Sequence, residues 1–528
     1  MSAQGPPATP PDELTDAVPA EPAASEPAPT GALSGIVFRG AAYSSAGFAL
    51  EQCLTVAAAI TLAHLVTPKE FGIYGSATIL LGYAAMFADS GLQSAVIQRR
   101  DRVSEAASTA FAANVVSGIG LALLAAGLAP VLALFFDDST IGWVAAAMAG
   151  TVALNSLLLV PDALLQRNFS FLRRLFVSPS AALTYGAVTG VVAALGFGVW
   201  SLVIGRYSAI VVELVVIWAL VGWRPQRSAI SFAMWRSLAQ YGRHIFAASF
   251  LSQSRSSVVT AMLGRFVGIG AVGQFRYANT MASLPRSTWV VSSSYVVFPA
   301  FARIAHETDR FRAAFLRTMR WAGIATFPTS AILLPLGPSL VVLVLGDEWR
   351  QAGYAAMALV GYPLVGPLTS VLSEGVKGMG RPDVLSRTAL VSTVGTLLFA
   401  AAFVPLGVVG IAGAYSLSSM FTVAVMLKLS MPLLSIDRAS VVRTLGPSFL
   451  ATAAMVALLF PLEWLLVRAD ERATATGLLL LLGEAVLGLA VYVWILRFLD
   501  RDAVESLWRG ARAVKPKLTR RHSPQTLS

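Results

Sequence analysis

Four arginines interrupt otherwise apolar stretches of this chain: Arg206, Arg255, Arg276 and Arg286. A charge at the bilayer centre costs at least about 2.5–3.5 kcal/mol even on a lenient insertion scale, so four such side chains should line a polar interior rather than face lipid. Arg255 lies in the polar run Ser252-Gln253-Ser254-Arg255-Ser256-Ser257, and Arg276 precedes Asn279 by three residues, which puts both on one helix face. Arg286 follows Pro285, and Arg206 precedes Glu213 by seven residues, about two helical turns. Guanidinium groups stay charged and fork two hydrogen bonds to phosphate oxygens, so these residues fit a cationic cavity that holds a phosphate or pyrophosphate. Alternatively each arginine pairs with a membrane acid, Glu51, Glu213, Glu463 or Glu484, or snorkels to an interface. Gln52, beside Glu51, either donates to sugar hydroxyls or bridges helices. Asp89, in FADSGLQ, caps a helix end or serves as an ion-coupling carboxylate, a role for which Glu213 and Glu51 are the other candidates.

The elements that must position these residues are transmembrane helices. The 528 residues are 56% apolar and 13% charged, with a mean hydropathy of +0.69, far from the soluble average of about a quarter charged. Apolar segments recur near 40–63, 71–97, 105–135, 142–165, 176–194, 199–221, 237–263, 269–301, 321–345, 351–373, 388–404, 408–427, 445–466 and 476–496. They predict an all-α polytopic membrane protein of about fourteen helices, because backbone in hydrocarbon must satisfy its own hydrogen bonds and no alternating barrel pattern is present. Pro285, Pro299, Pro328, Pro335, Pro363 and Pro367 lie in or beside these segments and mark broken or kinked helices.

Lys and Arg divide unevenly between alternate loops, 21 on one side against five on the other. The positive-inside rule then places both termini in the cytoplasm. Residues 1–38 read as a disordered cytoplasmic tail, its first 30 residues rich in Pro, Ala and Glu and free of Lys and Arg, and 499–528 as a basic cytoplasmic tail. That tail and the net charge of +11 serve orientation or contact with anionic membrane lipids, not nucleic acid.

Leu62–Ala77 can be laid on Leu263–Ala278 at an offset of 201, matching Leu62, Val66, Gly72 and Ala77 to Leu263, Val267, Gly273 and Ala278. Gln166–Arg174 lies on Gly380–Thr388 at an offset of 214. Two parallel six-helix lobes are therefore expected, 39–222 and 223–431, followed by helices 13 and 14 in 432–498. Facing bundles around a cleft suit alternating access. No phosphate-binding G-x-x-x-x-G-K-[ST] is present, the single Cys53 and the scattered His64, His244, His306 and His522 form no ligand cluster, and no soluble domain fits the layout. A carrier without metal or cofactor is expected rather than an enzyme, although a short-loop enzyme stays open.

LVTPKEFGIYGSATI with FADSGLQSAVIQR, VGQFRYANTMASLPRS with VVFPAFARI, LGDEWRQAG, and GMGRPDVLSR together resemble the polysaccharide and oligosaccharide flippases of the multidrug/oligosaccharidyl-lipid/polysaccharide superfamily, the lipopolysaccharide biosynthesis proteins. The resemblance runs over nearly the whole membrane part. It implies a bacterial plasma-membrane flippase with a cationic central cavity, moving an undecaprenyl-diphosphate-linked oligosaccharide from the cytoplasmic to the outer leaflet. Glycan polymerase machinery would be a further partner. The alternatives are an ion-coupled drug exporter or peptidoglycan-precursor flippase of the same superfamily, or a membrane glycan polymerase or ligase.

Overall fold

The computed structural model describes residues 47, 49–99, 101–167, 176–294, 297–304, 306–379 and 381–501. The N-terminal tail, Arg39, Arg100, Arg173, Arg174 and the basic tail from 502 onward lie outside the described residues.

Among the described residues every regular element is a helix. The first half comprises α1 (Ala49–Ala63), α2 (Pro68–Asp89), α3 (Leu92–Gln98), α4 (Val103–Phe136), α5 (Ser139–Ser156), α6 (Leu159–Arg167), α7 (Val177–Ala194) and α8 (Val199–Val221). The second half begins with α9 (Phe232–Met262), α10 (Ile269–Ser294), α11 (Val297–Ile304), α12 (Thr308–Ala331), α13 (Leu333–Leu345), α14 (Arg350–Ala358) and α15 (Gly361–Gly378). It ends with α16 (Pro382–Phe403), α17 (Gly407–Ser430), α18 (Arg438–Pro461) and α19 (Thr474–Leu499). Each of the apolar segments expected from the sequence falls on helix within the described residues.

Eight helical runs are long and apolar enough to cross a membrane, or ten when the bent pairs α12–α13 and α14–α15 each count as one span. Two physical features, and the extent of what is described for α1, separate these numbers from the expected fourteen. Val384–Ser430 forms a single apolar run of 47 residues, yet it is a hairpin of α16 and α17 whose Thr396 and Ser418 hydroxyls lie 2.8 Å apart. The helices α9 and α10 carry the polar run around Arg255 and the Arg276–Asn279 pair, which lower their hydropathy. The short α1 is described only from Ala49.

The surface is that of a protein in lipid: Leu123, Leu134 and Leu465 are 71%, 78% and 70% exposed. The interior is packed around Trp349, which is fully buried and donates its indole N–H to the Ala63 carbonyl at 2.9 Å. Beside it Tyr277 donates to the Ala59 carbonyl at 2.9 Å, and the rings of Phe71 and Tyr277 meet edge to face at 4.9 Å. The basic loops share one end of the bundle. Arg99 donates to Ser237 at 2.9 Å, Arg312 pairs with Asp437 at 2.9 Å and Arg320 pairs with Asp500. Contacts at the opposite end join Arg265 to Asp137 and Arg350 to Asp470, the latter at 2.7 Å.

The signature LVTPKEFG acquires a structural cause. Thr67 caps α2, accepting from the Glu70 N–H at 3.4 Å, while the Glu70 carboxylate accepts the Thr67 N–H at 2.8 Å. This is a capping box, with Pro68 in the first turn where no N–H is needed. The start of α2 then lies against the start of α10 without side chains between them. A Cβ on Gly72 would collide with the Ile269 carbonyl, and one on Gly273 with the Pro68 carbonyl. Gly72 and Gly273, like Pro68 and Ile269, are 201 positions apart, so the contact is reciprocal, as in a two-fold interface. A second reciprocal pair lies close by: Trp349 reaches Ala63, and the Phe136 ring lies against Gly264. Ala63 and Gly264 share the offset of 201.

This seam predicts that Gly72→Val and Gly273→Val each lower stability by about 1–3 kcal/mol through overpacking. Gly120→Ala, where an added Cβ meets nothing, should gain about 0.5–1 kcal/mol. Thermal unfolding in detergent measures both; seam variants as stable as the parent protein would contradict the packing described.

Candidate functional site

The helices α9 and α10 bring the sequence-predicted polar residues to one place. On α9 the residues Ser252, Arg255, Ser256 and Thr260 stand at i, i+3, i+4 and i+8 and so share a face. On α10, Arg276, Asn279 and Thr280 do the same. These two faces, with Tyr362 of α15 and Tyr415 of α17, line a cavity of about 370 Å³. Arg255 donates from Nη1 to the Ser392 hydroxyl at 2.9 Å, with its guanidinium 6.0 Å from the Tyr415 ring centre. Arg276 donates from Nη1 to the Thr78 hydroxyl at 3.1 Å, with its guanidinium 6.0 Å from the Tyr74 ring centre.

Among the described residues no carboxylate lies within 4.0 Å of either guanidinium. Each has five N–H groups and donates one side-chain hydrogen bond to a neutral hydroxyl, so donors remain for an anion in the cavity.

Small residues on α2 make this placement possible. A Cβ on Gly75 would sit 2.7 Å from Cδ of Arg276, so the arginine crosses the helix where there is no side chain. Further along the helix, Gln253 of α9 lies over Gly82 in the same way, and Tyr83 donates to the Ser254 hydroxyl at 3.1 Å. The α2–α3 break has Ser90 and Gly91 at positive φ, 46° and 77°. There a Cβ on Gly91 would come 2.7 Å from the Gly242 carbonyl oxygen of α9. Phe87, Phe246 and Phe250 cluster beside that approach, with Phe87 and Phe246 ring centres 5.0 Å apart.

The other candidate residues separate from this cavity. Arg206, on α8, is within electrostatic reach of Tyr74 and Tyr185, as Arg276 is. Glu213, on the same helix, interacts with Arg206, Asp162 and Glu51. Gln52 is half-buried on α1 and is not among the residues lining the cavity. Asp89 ends α2 and accepts the Gln93 backbone N–H at 3.1 Å, the geometry of a cap on the first turn of α3. Arg286 lies on α10, but its side chain is outside the described residues. Among the described residues Glu463 and Glu484 meet each other rather than an arginine: Glu463 accepts from the Ser339 hydroxyl and from the Ala469 N–H at 3.1 Å, with Glu484 beside it.

Sequence reasoning missed Tyr362 and Tyr415, because aromatic residues in apolar helices carry no pattern that distinguishes a cavity wall from a core. Thr280 was legible in principle, since Arg276, Asn279 and Thr280 follow helical spacing.

A family model described as polysaccharide biosynthesis protein matches residues 61–353, more than half of the chain. The succinoglycan biosynthesis transport protein ExoT of Rhizobium meliloti (strain 1021) is 26% identical over 353 residues, 63% of this chain and 68% of that protein. The lipopolysaccharide biosynthesis protein WzxC of Escherichia coli (strain K12) is 24% identical over 301 residues, 55% of this chain and 59% of that protein. Among solved structures, the lipid II flippase MurJ in an inward closed conformation aligns with a TM-score of 0.71 at 14% identity, covering 87% of this chain and 99% of that one. An inward-facing multidrug resistance MATE family transporter of the MOP superfamily aligns at 0.61 and 16% identity, covering 73% of this chain and 94% of that one. At these identities the structural likeness speaks for the fold. With its apolar helices, its MurJ- and MATE-like fold and the family match, the chain is a multi-pass membrane protein that belongs to the polysaccharide biosynthesis protein family.

Proposed function

We propose that this protein is a flippase that carries a diphosphate-linked lipid oligosaccharide, with undecaprenyl as the lipid, from the cytoplasmic to the outer leaflet by alternating access. The observation that carries this reading is the pair Arg255 and Arg276, lining one cavity with no carboxylate in ion-pair range among the described residues. Two fixed positive charges in a site of this kind suit a diphosphate, whose oxygens can accept from both forks. They disfavour a cationic drug, which would meet like charge. The names of ExoT and WzxC, a succinoglycan biosynthesis transport protein and a lipopolysaccharide biosynthesis protein, agree with that cargo. Asn279 supplements the arginines, while Arg206 and Glu213 act from α8.

In this reading the basic end faces the cytoplasm, both termini included. Two parallel six-helix lobes, 39–222 and 223–431, rock about the reciprocal seam at Gly72 and Gly273, and α18 and α19 pack outside them. Opening toward the cytoplasm separates α2 and α3 from α9 at the Gly91–Gly242 approach.

Three outcomes follow. Arg255→Ala and Arg276→Ala should each lower translocation of a fluorescent lipid-linked glycan in proteoliposomes by about ten- to a hundredfold, the worth of a lost charge-assisted hydrogen bond. Lys at either position should restore only part of the rate; unchanged rates in the alanine variants would remove the proposal. Arg255→Gln and Arg276→Gln should unfold at or above the parent temperature, since they relieve a desolvated charge and break no ion pair. Lower unfolding temperatures would assign the arginines a structural role instead. A reducible bis-thiosulfonate crosslink joining positions 87 and 246, whose rings meet in the parent protein, introduced by Phe87→Cys and Phe246→Cys in a Cys53→Ser background, should stop translocation until a reductant is added. Continued transport with the crosslink formed would contradict separation of these helices.

A further inference from the structure

Next to the arginine cavity lies a second one of about 280 Å³, and Arg276 and Thr280 line both. Its walls are aromatic, with Phe71 and Tyr74 of α2, Tyr185 of α7 and Tyr277 of α10. Its floor is small, made by Ala58 and Ala59 of α1 and Ala182 of α7. The tyrosines are not equivalent. Tyr277 is satisfied by the Ala59 carbonyl, as Tyr83, Tyr207 and Tyr492 are satisfied elsewhere. Tyr74 and Tyr185 make no hydrogen bond among the described residues, although they interact with each other and with Arg206 and Arg276.

We propose that this pocket is a sugar subsite, which takes the first pyranose ring attached to the diphosphate held by Arg276. The inference rests on the flippase reading and adds a place for the glycan. A pyranose has an apolar C–H face and a rim of hydroxyls. The pocket offers aromatic rings for the first, and two free phenol hydroxyls and an arginine for the second. A prenyl chain would leave those polar groups unpaired in an apolar contact, which is costly. A cationic group would meet Arg276 in the pocket wall, with Arg206 within electrostatic reach of the same tyrosines, which disfavours the use of these rings as a cation cage. Because Arg276 and Thr280 belong to both cavities, a ligand anchored by its phosphate on Arg276 presents its next group at the pocket's mouth.

The test uses the full chain in detergent and two probes, farnesyl diphosphate and farnesyl diphosphate bearing one glucose, with Kd measured by calorimetry. Ala182→Leu fills the pocket without touching a charge. It should weaken the glucosylated probe about tenfold and leave farnesyl diphosphate unchanged. The double variant Tyr74→Phe/Tyr185→Phe keeps the rings and removes both hydroxyls, and should weaken only the glucosylated probe, by about twenty-five-fold, near the worth of two neutral hydrogen bonds. If the parent protein binds both probes equally, or either variant shifts both probes by one factor, the sugar subsite falls while the diphosphate site stands. If farnesyl diphosphate does not bind the parent protein at all, the flippase reading and the subsite fall together. Should Ala182→Leu fail to fold, the tyrosine pair decides alone.

Discussion

A guanidinium cannot leave its charge behind when it enters a membrane. It must be solvated by something other than lipid, and the solvating group decides what the protein can do. Here Arg255 and Arg276 receive a hydroxyl and a nearby tyrosine each, and no carboxylate among the described residues. Neutral partners leave most of the positive potential intact, where a carboxylate would have cancelled it. The polar α9 face, the glycine at position 75 and the aromatic walls all follow from the need to hold such a charge beside a chamber.

Backbone proximity is the second constraint. Lipid gives little hydrophobic push between helices, so close packing must supply the adhesion, and glycine permits the closest approach. The glycines of α2 serve different ends along one helix: Gly72 meets the start of α10, Gly75 lets Arg276 pass, and Gly82 accommodates Gln253. One helix thus ties the packing of the bundle to the position of the charge. The reciprocal contacts at Gly72 and Gly273 give the internal sequence match a spatial meaning that identity at a few positions did not have.

The helical fold was legible because hydropathy follows directly from the solvent, whereas breaks inside a segment, as between α2 and α3 or α5 and α6, were not. Arg255, Arg276 and Asn279 were legible because insertion cost singles out a charge in an apolar run, and helical spacing says which neighbours share its face. Tyr362, Tyr415, Tyr74 and Tyr185 were not, since a tyrosine costs little in a membrane helix whether it faces a core or a cavity. Pairing was equally hidden: nothing in the spacing says that Glu463 turns to Ser339 and Glu484 rather than to an arginine. The helices that carry Arg255 and Arg276 were legible as the segments 237–263 and 269–301, although the polarity that marks the site keeps them less apolar than the other spans.

The central claim is that the arginine chamber carries a lipid-linked glycan across the bilayer. It is tested most directly by locating unpolymerised lipid-linked repeat units after the protein is depleted from its native cell. Accumulation on the cytoplasmic leaflet is the predicted result. Accumulation of single units on the outer leaflet would contradict it and point to a polymerase or ligase instead.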